Sequence, residues 1–256
     1  MRLTTIFMIL PLLTACGAAA PTTTNPVTYT SLTVFSDGGG VMRGLGTDTG
    51  ATLIAITPNV ASVVTSGNNS AASDTPLAID PASFALVSSN ARGDIRSGTL
   101  TVGSTVVNVD VYTDIAETAG LLKLTVPSDG NQIMAIGNQV DGMPTGTFSY
   151  VGQHIFGVRS AGGTTEVGAF DLNANFDTST FTYSGLTDNT TLSGSGVIDS
   201  SNGRIASSSL SLTTPSGGYT VTMHGQFHGT NATGVSGIYH TNDTNPDFSG
   251  GFVGSR

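Results

Sequence analysis

Tryptophan is absent from this 256-residue chain, lysine occurs once (Lys123) and cysteine once (Cys16). Charged residues make up only 10% of it. Each scarcity excludes something. A lone cysteine cannot form an intramolecular disulfide, so no cystine supports the fold. Long helices display Glu and Lys on their wet faces; a chain this poor in charge and carrying 34 glycines, with abundant Thr and Val, favours strands and tight turns. The charges that exist are mostly acidic, for a net charge of −9. That excludes a nucleic-acid partner, because no basic footprint is available to displace counterions from phosphates. A weakly charged, acidic surface suits a secreted protein. No long amphipathic helical pattern and no repeat of fixed period is present.

The first sixteen residues read as an address. Arg2 supplies a charged start, and Leu3 to Leu13 form a mostly apolar run too short to span a bilayer. Leu13-Thr14-Ala15-Cys16 follows, with Gly17 after it. This resembles the lipobox of bacterial lipoproteins. The resemblance implies that residues 1–15 are a signal peptide and that Cys16 becomes the diacylglycerol-modified first residue; ordinary cleavage near Ala15 is the alternative. Each buried methylene contributes about 0.8 kcal/mol, so two or more chains make a stable anchor. Gly17 stands where an Asp would signal inner-membrane retention, which favours the outer membrane; the periplasmic and outer faces both stay open. Residues 16–26 then form a lipidated cysteine and a Pro/Thr/Ala tether.

Residues 27–140 carry short strand signals. Val27 to Ser36, Ala51 to Ile56, Val60 to Thr65, Leu100 to Val102 and Val106 to Tyr112 are rich in β-branched and aromatic residues. Asp37 to Gly40 and Gly103-Ser104 read as turns. Asp114 to Leu122 reads as a short helix, with Asp114 and Glu117 spaced as in a capping box. Another helical turn is expected after Pro81. The segment reads as a smaller β-rich domain.

Residues 141–256 are more regular. Thr147 to Val151, His154 to Arg159, Glu166 to Asn175, Thr180 to Tyr183, Thr191 to Ile198 and Arg204 to Leu212 read as strands. Three more follow between Gly217 and Arg256, for a total of eight or nine. Asn202-Gly203 predicts a type I′ hairpin turn. Phe170, Leu172, Ala174 and Phe176 share one face and Asp171, Asn173 and Asn175 the other, as do Tyr219, Val221, Met223 and Phe227 against Thr220, Thr222, His224, Gln226 and His228. Consecutive hairpins with strict alternation predict an all-β fold, an eight-stranded up-and-down antiparallel barrel that removes its own edges by closure. Its polar-out, apolar-in pattern is that of a barrel in water, the reverse of a transmembrane barrel.

Met143-Pro-Thr-Gly-Thr-Phe-Ser-Tyr-Val-Gly152, Ala169 to Phe176 with Phe181 and Gly185, Gly225-x-Phe227-x-Gly229 through Tyr239, and Phe248 to Arg256 occur in that order. Over residues 140–256 this resembles the barrel of transferrin-binding-protein-B-like lipoproteins. The resemblance implies a barrel beside a β-rich handle, here residues 27–140. It also implies a membrane-anchored protein that captures a host protein or solute, in iron, haem or other nutrient uptake, with an outer-membrane receptor as a partner. Transferrin-binding members have two lobes and many lysines, whereas this chain shows one such stretch and Lys123 alone. No ligand contact carries over, because the family's binding residues sit in variable loops. A structural or adhesive envelope lipoprotein is the alternative.

Candidate chemistry is sparse. His224 and His228 lie about 13 Å apart along a strand, too far to share a metal with bonds of ~2 Å. They read as solvent-facing polar residues; a haem or metal site using His224 or His240 is the alternative. Asp243 to Asp247 alternates oxygens as a calcium loop does, but Phe248 and Gly254 stand where an EF-hand needs Gly and Glu. No G-x-S-x-G, H-E-x-x-H or Walker-A string occurs, Asp171, Asp177, Asp188 and Asp199 are scattered, and no helix pattern follows Gly38 to Gly44 to hold a phosphate. No enzyme and no cofactor is expected.

Overall fold

The β-branched and aromatic runs become strands because each finds an antiparallel neighbour that satisfies its backbone groups. The computed structural model describes residues 28–35, 52–57, 60–65, 76–78, 84–102, 105–116, 118–126, 130–137, 140–158, 165–241 and 248–256. The lipobox, the tether, the Gly38–Gly44 stretch, the turn after Pro81 and the Asp243–Asp247 loop lie outside them.

The first part of the chain contributes β1 (Thr28–Phe35), β2 (Thr52–Thr57), β3 (Val60–Thr65), β4 (Pro76–Ala78), β5 (Ala85–Asn90), β6 (Gly93–Val102), β7 (Thr105–Thr113), β8 (Ala119–Val126) and β9 (Gly130–Gly137). Seven of them form one sheet in the order β4-β1-β9-β8-β7-β6-β5, and β2 and β3 pair as a separate hairpin. From β5 to β9 this sheet is a meander, with β1 added beside β9.

The helix expected from Asp114 to Leu122 does not form. Asp114 does supply the local acceptor that the capping pattern foretells, but it closes a turn. Its Oδ1 accepts the N–H groups of Thr118 and Ala119 at 2.7 and 2.9 Å, and its Oδ2 accepts the Thr118 hydroxyl at 2.8 Å. From Ala119 the chain is extended because β7 on one side and β9 on the other take up its backbone groups. Two ladders outcompete a helix of about two turns, which is marginal by itself.

The second part is a closed barrel of β10 (Thr147–Val158), β11 (Thr165–Asn175), β12 (Thr180–Leu186), β13 (Thr191–Asp199), β14 (Arg204–Thr214), β15 (Gly217–His228), β16 (Gly234–Thr241) and β17 (Phe248–Ser255). Closure is made by β17, which pairs with β16 and with β10, Val151 opposite Ser255 through Val158 opposite Phe248. β10 is one strand where the sequence suggests two. The turn at Asn202-Gly203 is longer than a type I′ pair: Asn202 and Gly203 both donate to Asp199 O, and only Gly203 adopts a positive φ, 75°.

The parity expected of the barrel holds. Phe170, Leu172, Ala174, Phe181, Tyr183, Val221, Met223 and Phe227 point inward and are buried. Aromatic rings fill the centre: Phe170 stacks on Tyr183 at 5.5 Å, and Phe252 meets both edge-on or tilted, at 5.2 and 5.1 Å. Such pairs contribute about 1 kcal/mol each beyond area burial. Room for Phe252 comes from Gly237, where any side chain would collide with the Phe252 ring.

Sheet and barrel share a second core. On the barrel's outer wall Ile155, Ile238 and Val253 are fully buried against Tyr112, Ala119, Leu121, Ile133 and Ala135 of the sheet. Each such aliphatic burial is worth about 2 kcal/mol. Gln153 ties the rim of this seam, its Nε2 donating to Asp94 O and Thr113 O at 3.2 and 3.3 Å.

Candidate functional site

The barrel interior is packed, not hollow. Tyr150, Phe170, Phe181, Phe227, Tyr239 and Phe252 are each buried to within a few per cent. At mid-depth sits His154, fully buried. Its Nε2 lies 2.6 Å from Tyr239 Oη, and Tyr239 Oη donates to Ile155 O at 2.9 Å. The single tyrosine proton is thus spent on the carbonyl, so Nε2 must carry the imidazole proton and donate to Tyr239. Nδ1 has no partner, nor has Tyr183 Oη, whose ring centroid is 6.0 Å from the imidazole. Gly185 lies flat against Nδ1, leaving no space for a side chain. Burial holds His154 neutral, with its pKa lowered to about 3, and burial likewise pushes the Tyr183 and Tyr239 hydroxyls well above the usual tyrosine range. A neutral, sterically enclosed imidazole is a structural element, not an acid–base catalyst open to substrate.

Of the three histidines singled out from the sequence, His224 and His240 come to adjacent strands in diagonal register, and His228 lies farther along β15. His224, half-buried, lies opposite Ile238; His240, half-buried, lies opposite Thr222 and contacts Thr241 O through Nδ1 at 3.0 Å; His228 lies opposite Gly234. All three project outward, as parity requires. His228, however, is not on a wet face: it is 1% exposed, with Nε2 2.8 Å from Ser236 Oγ and its ring lying on the Gly137 backbone of the sheet. The seam covers it. Among the described residues no group of three or more His, Cys, Asp or Glu converges on a point that could hold a metal.

The four scattered aspartates build turns or face solvent. Asp177 accepts Gly146 N–H at 2.9 Å, and Asp199 accepts the Ser201 N–H and hydroxyl and the Asn202 amide. Asp171 and Asp188 are exposed. Glu166 holds the β12–β13 loop, accepting from Thr187 Oγ1 and Asn189 Nδ2; the Thr187 hydroxyl keeps its carboxyl below the usual range. Lys123 pairs with Asp110 at 3.3 Å.

A concave feature appears on the outer wall where β14 carries one extra residue. Between the pairs Ser193–Ser211 and Val197–Ala206, three residues of β13 face four of β14; between Ser207–Met223 and Leu210–Val221, two of β14 face one of β15. Ser208 and Ser209 therefore both point outward. Ser207 turns inward and repairs the ladder, its hydroxyl donating to Ser195 O at 2.7 Å. The strands part over a cleft of 340 Å³ lined by Ser195, Val197, Ala206, Ser208, Thr222 and His224. Hydroxyls and small apolar groups can bind by shape and hydrogen bonding; no nucleophile–base pair is assembled there. A β-bulge is not legible in a Ser-Ser-Ser run, where either parity is polar.

No protein-family model matches the chain, and no curated protein matches it. Solved structures do. The haemoglobin receptor HpuA from Kingella denitrificans superposes with a TM-score of 0.53 at 13% identity, covering 91% of this chain and 88% of that one. Isotype 1 transferrin-binding protein B from serogroup B Neisseria meningitidis gives 0.52 at 12% identity, over 88% of this chain and 43% of that one. Intact Ap-TbpB, with N and C lobes, gives 0.50 at 14% identity, over 66% and 39%. The chain thus spans about two fifths of the length of these transferrin-binding proteins and most of the length of HpuA. At such identities what the chain shares with them is the fold, an all-β body ending in a closed barrel.

Proposed function

We propose that this chain is a non-enzymatic, lipid-anchored binding protein of the bacterial outer membrane that captures a partner protein on its outer surface. In this reading residues 1–15 are removed, Cys16 is acylated, residues 16–26 are the tether, residues 27–140 the handle and residues 141–256 the barrel. The observation that carries it is the filled barrel: with Tyr150, Phe170, Tyr239 and Phe252 occupying the interior, a ligand is met by the walls and loops. The likeness to a haemoglobin receptor and to transferrin-binding proteins supports a host-protein partner and delivery to an outer-membrane receptor in nutrient uptake.

Two measurements test this. Cells expressing the full chain should incorporate labelled palmitate, and Cys16→Ala should abolish incorporation and release the protein from the membrane fraction. The same cells should bind haemoglobin or transferrin in a manner competed by the purified chain. Anchored protein that binds neither, and whose expression is constant whether or not iron is limiting, would favour a structural or adhesive envelope role and overturn the capture reading.

A further inference from the structure

The pairing of β15 with β16 brings together what spacing along one strand cannot. Thr222 stands opposite His240, and His224 opposite Ile238. His224 and His240 are therefore diagonal neighbours on the outer face, roughly 7 Å apart at Cα, a gap that long side chains bridge. Two imidazoles leaning together across it can share one ion at bonds of about 2 Å. Both residues are half-buried, so solvent reaches them. The tautomer of His240 is also set. A carbonyl oxygen only accepts, so the 3.0 Å contact with Thr241 O puts the proton of the neutral ring on Nδ1 and the lone pair on Nε2. A backbone carbonyl on the other ring nitrogen is a usual support of a metal-ligating histidine. His224 lines the cleft over the β14 bulge, which gives room for an ion's water ligands. Arg204 sits one outward position beyond Ala206, the residue opposite His224, and Asp199 stands directly opposite Arg204 to offset its charge.

We propose that His224 and His240 form a site for one divalent transition-metal ion, bound through two neutral imidazoles, with water in the positions that remain. Imidazole suits copper, nickel and zinc, and among divalent first-row ions copper binds a given nitrogen site most tightly. Calcium and magnesium take oxygen-rich shells, which this pair does not supply. Structural zinc sites close all four positions with protein ligands. Two protein ligands leave the ion open to exchange, so the site takes up and releases an ion and does not hold the fold together. The ladders of β15 and β16 do that without it. The site stands apart from the capture reading, since an ion binds or fails to bind there whether or not a host protein is captured.

The test titrates Cu(II) into the purified full chain, its Cys16 thiol alkylated so that it cannot bind the metal. Calorimetry reads the affinity and stoichiometry, and electron paramagnetic resonance reads the ligands. The expected result is one tightly held ion per chain, with a spectrum split by two imidazole nitrogens. His224→Ala and His240→Ala should each weaken binding at least tenfold, and the double variant hardly more, because either loss dismantles the same site. Both positions are half-buried on the outer wall, so the variants should keep the wild-type urea midpoint; His224→Asn and His240→Asn, which preserve polarity, replace any alanine variant that does not. A spectrum split by one nitrogen only, or two ions each lost with one histidine, would overturn the shared site. Single variants that bind as wild type does, or wild-type binding no tighter than that of the double variant, would overturn the proposal altogether.

Discussion

β12 and β16 belong to one barrel, yet their surroundings differ. In β12 exposure alternates strictly: Phe181, Tyr183 and Gly185 are buried while Thr180, Thr182, Ser184 and Leu186 are exposed. In β16 seven of eight residues are buried, and only His240 is partly open. The inner faces do the same work, since Tyr183 and Tyr239 both line the packed lumen. The outer faces do not. Ser184 looks into water, and Ile238 looks into the seam with Leu121 and Ala135. A barrel wall becomes an interface by replacing a few outward polar residues with aliphatic ones, at no cost to the lumen.

The sharpest break of this comparison is a charge placed on each outer face. Ile238→Asp should cost about 4 kcal/mol in urea unfolding, since an uncompensated carboxylate enters an apolar seam. Ser184→Lys, which places its charge in water opposite Asp171, should stay within about 0.5 kcal/mol of wild type. Equal losses would mean that the seam does not form in solution.

Leu121→Ala attacks the same seam from the sheet side and should cost about 3 kcal/mol. Amide exchange should accelerate in β8 and β9 before it does in β12 and β13. If the whole barrel loosens equally, the two cores are one cooperative unit rather than two joined ones.

His154 gives a pH signature to the lumen. Its folded pKa is lowered to about 3, below the ordinary histidine value of 6.5. Between those values the unfolded chain binds the extra proton, so stability is full above pH 6.5 and falls as pH drops towards 3, at roughly 1.4 kcal/mol per pH unit. His154→Phe should flatten that limb of the stability–pH curve, and an unchanged limb would show that other groups carry it. A smaller loss is expected at the C-terminus. There Arg256 sits 3.9 Å over the Phe148 ring and donates to Asn231 O at 2.8 Å. Arg256→Ala should cost about 1 kcal/mol, read as a small shift in the urea midpoint.

Much of this architecture is written locally. The alternation around Phe170 to Phe176 and Tyr219 to His228 states which side of each strand is inside, and short links between such strands leave closure as the way to remove the edges. Local signals fail where two readings share one chemistry. Asp114 is an N-terminal acceptor in a helix and in a turn alike, and only the flanking strands β7 and β9 choose between them. His154 escapes notice because its strand looks broken at Gly152-Gln153; carried through from Tyr150 to Phe156, the same parity would place it in the lumen. The β14 bulge hides in a run of serines.

By itself, then, the sequence determined most strands of the barrel, their inner faces and a barrel that shuts on packed aromatics, because a period of two is a property of neighbouring residues; β5, β8 and β9 of the sheet it did not mark as strands. The tertiary structure alone decided which outer faces meet water. His228 and Ser236 carry the same polar signature as Thr182 and Ser184, and they are buried only because a sheet some hundred residues earlier in the chain lies over them. Burial between two sheets is set by pairs such as Ile238 and Leu121, whose contact no local pattern records.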